Sequence, residues 1–306
     1  MCKLAMPLSA DELRDAVRHS RRYEAARLDR ILGVDEARGL VEVQANTTWR
    51  TLAAHLLPGD GKASAARTTM PSVGESIARN AAGPDGRPAV THVEAIALVM
   101  PEGELRRISR ENNPRLFALA VGGHGLFGAP YSITLRLESL ERAVRESETA
   151  PPAAGGKRVL QVLVPPEDLA AYLDKARSCA AEWRVAIEEI EVRYVREDAE
   201  TFLRWARQDY VEVSLRLDES ATLGNAVRLT QLRRELIDAA IALGGAFPIA
   251  CTPDATRAQV EACYPELKTF LAEKRRIDPA ERLVNAWYLH HRSLLERDSC
   301  EVRWAH

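Results

Sequence analysis

Apolar and polar positions alternate strictly over Tyr210-Val-Glu-Val-Ser-Leu-Arg-Leu217, with Val211, Val213, Leu215 and Leu217 on one side and Glu212, Ser214 and Arg216 on the other. A period of two is the mark of a strand with one buried face, and the polar face of this one either lines a pocket or meets water, with water the better expectation. The same reading predicts further strands over 40–45, 92–100, 130–138, 158–164, 185–195 and 246–251. Where the apolar period lengthens, it predicts helices over 9–25, 48–57, 113–120, 166–182, 199–206, 223–243 and 256–275. The order of these elements implies an α+β fold. The Pro-, Ala- and Gly-rich stretch from Glu146 to Lys157 reads as a linker, so domains are expected over 1–144 and 145–255, followed by a helical segment over 256–306.

Composition narrows the function classes. The 306 residues are 46% hydrophobic, enough to bury a substantial core, and the formal net charge of −2 gives no reason to expect nucleic acid or an anionic membrane as partner. The N-terminus lacks the succession of a signal peptide and no apolar run reaches spanning length, so a cytoplasmic protein is expected. Cys2, Cys179, Cys251, Cys263 and Cys300 have no paired short spacing, which suggests neither a metal site nor a disulfide framework.

Candidate chemistry is sparse. Gly123-His-Gly-Leu-Phe-Gly128 spells GxGxxG, but it follows a predicted helix and precedes a predicted strand, the reverse of a dinucleotide-binding loop. Glu191 and Arg193, two apart on a strand, share a face and would present an acceptor and fixed donors together, or form an ordinary solvated ion pair. Of the histidines, His124 sits inside the glycine cluster, His92 opens a strand as a structural residue, and His290 and His291 read as an exposed pair.

Several blocks then carry a resemblance. They are Thr69-Met-Pro-Ser-Val-Gly-Glu-Ser-Ile-Ala-Arg-Asn-Ala-Ala-Gly83, the run from Asn113 to Gly128, Leu243-Gly-Gly-Ala-Phe-Pro, the helix ending in Tyr264-Pro265, and Ile277-Asp-Pro-Ala-Glu-Arg-Leu-Val-Asn-Ala-Trp-Tyr288. In this order they resemble the FAD-linked oxidases of the vanillyl-alcohol oxidase type, in particular the aldonolactone and alditol oxidase branch, over roughly Leu28 to Tyr288. The resemblance implies a PCMH-type FAD-binding domain capped by an antiparallel α+β substrate domain. It implies FAD contacts at Pro71, Ser72, Val73, Gly74, Ser76, Asn80, Gly83, Gly122, Gly123, Gly125 and Asn285, with Glu191 and Arg193 at the substrate. The implied activity is oxidation of a CH–OH donor, a polyol or other alcohol, by hydride transfer to flavin, with the electron acceptor left open.

The chain departs from that family at four places. Glu75 stands where a second glycine is usual and Ala82 where histidine is usual, and Phe247-Pro248-Ile249-Ala250 replaces a run with a basic residue. The helix from Ser9 runs through Tyr23-Glu-Ala-Ala-Arg27 directly into Leu28, omitting the strand and first flavin loop, and no glycine precedes Gly33 to supply a phosphate nest. Three readings follow: an FAD-dependent oxidoreductase whose remaining loops suffice, a degenerate relative that keeps the fold as a scaffold or ligand-binding protein, or an internally deleted version of a working enzyme.

Overall fold

The computed structural model describes residues 5–19, 27–56, 72–83, 85–140, 159–218, 223–250 and 252–296; Pro71 and the expected linker over 146–157 lie outside them. The fold is mixed α and β with antiparallel sheets. The chain divides into two compact units, Met1–Pro152 with Glu200–Leu203 and Lys268–His306, and Ala153–Ala199 with Arg204–Leu267. Among the described residues, no helix is long and apolar enough to cross a membrane.

The first unit opens with α1 (Ala10–Arg18), which starts where the Ser9 hydroxyl accepts the Glu12 amide and places Asp11 and Glu12 at the positive end of the helix dipole. Its sheet contains β1 (Ile31–Asp35), β2 (Leu40–Gln44), β3 (Val93–Val99), β4 (Leu105–Ser109) and β5 (Ala129–Arg136) in the order β1-β2-β5-β3-β4, every neighbouring pair antiparallel. Between strands lie α2 (Trp49–Leu56), α3 (Val73–Ala78) and α4 (Pro114–Ala120). Leu13, Val17, Leu28, Val99, Ala129 and Leu283 form one buried cluster, so the closing segment shares a core with the first helix. Burying each Leu or Val of this cluster contributes about 1.5–3 kcal/mol. The unit ends with α8 (Leu267–Ile277) and α9 (Ala286–Glu296).

The second unit contains β6 (Val159–Val164), α5 (Leu169–Trp183), β7 (Ile187–Val195), β8 (Tyr210–Leu217), α6 (Leu223–Ala242) and α7 (Arg257–Cys263). The strands form a three-stranded antiparallel sheet in the order β6-β8-β7. Register gives it two unlike faces. Leu160, Val162, Val213 and Leu215 share one side and are buried. Gln161, Ser214 and Glu191 form one cross-strand row of the other side, and Leu163, Glu212 and Arg193 the next.

Three expected elements differ. Residues 199–206 are bends rather than helix, because the Phe202 amide donates to the Ala118 carbonyl and the Asp198 amide to the Ala206 carbonyl, leaving no local ladder. In place of a strand over 246–251, among the described residues only Ala246 bridges, with Leu163, and Pro248 has no amide with which to extend the pairing. The helix expected over 256–275 is broken into α7 and α8 at Tyr264-Pro265, and α7 opens with a reciprocal Thr256/Gln259 cap.

Candidate functional site

The loop that resembles a flavin loop is bonded to its own chain. Val73 and Gly74 donate their amides to the carbonyls of Thr47 and Ala45, each at 2.8 Å, and Glu75 donates to the Ser72 hydroxyl at 3.1 Å. A Cβ on Gly74 would lie 2.7 Å from the Ala45 carbonyl oxygen, so the glycine serves the approach of helix to strand. The Ser76 hydroxyl accepts the Trp49 indole N–H at 2.8 Å. Glu75 turns outward into an ion pair with Arg79 one helical turn on, which answers where its charge goes.

The C-terminal end of α3 carries the glycine turn. Asn80, in the left-handed region at φ 48° and fully buried, accepts the Val90 amide at 2.9 Å through Oδ1. Gly122 and His124 donate their amides to the carbonyls of Ile77 and Ala78, both at 2.9 Å. A Cβ on Gly123 would fall well inside contact with the Leu119 carbonyl, whereas nothing lies within 4 Å of one on Gly125. Asn285 closes the arrangement: its Nδ2 donates to the His124 carbonyl at 2.8 Å and its Oδ1 accepts the Tyr288 amide at 2.9 Å. The structure therefore gathers Asn80, Gly122, Gly123, Gly125 and Asn285 into one knot. Burial, helped by the nearby His291 and Arg79 charges, pushes the His124 pKa down to about 3.

Gly83 lies beside an Asp–His pair that sequence reasoning missed. His92 Nε2 is 3.6 Å from Asp85 Oδ2, both side chains are almost wholly buried, and among the described residues neither that oxygen nor either ring nitrogen has a hydrogen-bond partner. Burial opposes ionisation of Asp85, yet His92, the Arg87 amide and the Arg87 guanidinium hold its carboxyl below the usual range. No short-range pattern ties position 85 to position 92; only closure of the loop does.

In the second unit, Glu191 and Arg193 lie on the polar face of the sheet, opposite Ser214 and Glu212 in register. Glu212 organises this face. Its Oε1 accepts from Arg193 Nε at 3.1 Å, Gln161 Nε2 at 3.0 Å and the Ser214 hydroxyl at 3.2 Å, and its Oε2 accepts from Arg193 Nη2 at 2.8 Å. The expectation that this polar face meets water fails at its centre, where the Glu212 side chain is 3% exposed while that of Arg193 is 45% exposed. A carboxylate is buried without a large cost only when charge-assisted bonds replace its water, and the two-point guanidinium pairing supplies them. Arg193 is thereby held in one orientation with its edge toward solvent.

Among the described residues, no group of three or more His, Cys, Asp and Glu side chains is arranged to hold a metal. The residues that the resemblance gives to FAD fit it poorly: the first amides of α3 are bonded within the chain, and of the glycines at issue only Gly125 faces open space. No protein-family model and no curated protein matches the chain.

Proposed function

We propose that this chain is a ligand-binding relative of the FAD-linked oxidases, which recognises a hydroxylated small molecule on the polar face of the three-stranded sheet and does not hold FAD through Ser72–Gly83. The observation that carries the reading is the buried Glu212 carboxylate, bonded by Arg193, Gln161 and Ser214, beneath a half-exposed Arg193. A guanidinium fixed before the ligand arrives loses little rotamer freedom on binding, and such preorganisation favours a polyol or other alcohol whose hydroxyls alternate as donors and acceptors. The closed amides of α3 support the absence of FAD, because a pyrophosphate there would have to displace several main-chain bonds.

A second reading, FAD-dependent oxidation of a CH–OH substrate, is favoured by one observation, the knot that brings Asn80, Gly122, Gly125 and Asn285 together with open space at Gly125. Bound there, FAD would supply hydride acceptance, while Asn285 would hold the turn.

The test is thermal unfolding with a panel of linear polyols, aldonolactones and simple alcohols, run beside the Arg193→Ala variant. A rise in Tm with a polyol that disappears in the variant is expected, since ligand bound only to the folded state raises stability by mass action. No rise with any panel member up to saturating concentration would remove the reading. Substrate-dependent bleaching of a bound flavin would put the oxidoreductase in its place.

A further inference from the structure

We infer that helix α9 is docked on the glycine turn by an imidazole–indole–imidazole stack that mild acid releases. The Trp287 indole lies 4.1 Å from the His124 ring at an interplanar angle of 16°, and 4.2 Å from the His291 ring at 32°. The three rings come from two places far apart in sequence, the glycine turn and the first turns of α9. Trp287 also meets Phe270 of α8 edge to face, with centroids 6.1 Å apart. Besides this stack, the Asn285 side chain spans from the His124 carbonyl to the Tyr288 amide.

Both imidazoles stack while neutral. Burial and the surrounding positive groups disfavour their protonation: Arg79 at the end of α3 faces His124, the two stacked histidines face each other, and His290 faces His291. The Trp287 carbonyl at 2.8 Å from His291 Nδ1 works the other way, as does the attraction of an imidazolium to an indole face. Two imidazolium charges beside Arg79 would repel one another, so these favourable contacts offset only part of the cost.

The sign follows from linkage. His124 and His291 have pKa values of about 3 and about 4 in the folded protein, against 6.5 when solvated. The undocked state therefore binds more protons throughout the interval from 6.5 down to about 4, and docking weakens steadily as pH falls through it. The side of the helix that meets Glu281 behaves differently. Arg292 pairs with Glu281, whose carboxyl is held below its ordinary range by Tyr288 and Arg292, and Arg275 pairs with Glu296. The Glu281 pair persists in mild acid, so release opens the stack of His124, Trp287 and His291 and uncovers the glycine turn while that tether holds.

Hydrogen exchange of the Tyr288–Arg292 amides, corrected for intrinsic rate and followed from about pH 7 to about pH 5 beside far-UV circular dichroism, tests this. Protection is expected to fall by about tenfold or more while the circular dichroism stays constant. A His124→Asn/His291→Gln double variant, whose Asn suits the left-handed backbone at position 124, is expected to lose that pH step. Protection that holds until global unfolding, measured on the unmodified protein alone, would overturn the inference. An undiminished step in the double variant would overturn it as well.

Discussion

Around the glycine turn of the first unit, the amides of Gly122 and His124 end on the carbonyls of Ile77 and Ala78, and the Asn285 side chain also ends on main chain. On the sheet face of the second unit, Glu212 is instead bonded by the side chains of Arg193, Gln161 and Ser214. Main-chain closure tolerates many side chains but no added atom where backbones touch. Side-chain closure tolerates changes of shape but not of charge. The first region therefore holds the fold, and the second keeps a polar arrangement made of side chains.

The sharpest way to break that comparison is Gly123→Ala. Its new Cβ would meet the Leu119 carbonyl, and a backbone neighbour cannot swing aside, so a loss of about 3–5 kcal/mol in urea unfolding is expected. Glu212→Ala should cost about 2–3 kcal/mol, below the full cost of breaking a buried ion pair because Arg193 is half-exposed and regains water. Glu212→Gln keeps the shape and removes the charge, so it should lose nearly as much as Glu212→Ala, and a Gln variant as stable as the unmodified protein would mean that shape rather than charge matters at this position.

The neutral histidines His124 and His291 come next. Their lowered pKa values make stability complete above about 6.5 and progressively smaller as pH falls toward about 4. Thermal unfolding at intervals across that range should show the decline in the unmodified protein and a weaker one in His291→Gln. Asn285→Ala removes two hydrogen bonds to main chain and should cost about 1–2 kcal/mol by chemical denaturation. Glu75→Gln, which breaks an exposed pair with Arg79, should change stability by less than about 0.5 kcal/mol; a larger loss would mean that the charge at position 75 reaches beyond the helix surface.

Much of the fold was legible in the chain. Alternation over 187–195 and 210–217 predicts both strands, and the observed register places Arg193 opposite Glu212. The same alternation misplaces Glu212 in water, because a period of two says which side is polar and not what lies against it. Helical spacing over 199–206 gave way to a tertiary bond, the Phe202 amide on the Ala118 carbonyl, which no local pattern encodes. The glycines were conspicuous for a related reason. A sequence shows where a Cβ is absent, and only the structure shows that the Ala45 carbonyl fills that space at Gly74.

The most direct test is the visible absorbance spectrum of the purified protein, as isolated and after incubation with excess FAD and desalting. Ser72–Gly83 is closed on its own chain, so the protein should be colourless in both cases. A flavin band that survives desalting would contradict that claim and make the glycine knot, rather than the polar sheet face, the place to look for chemistry.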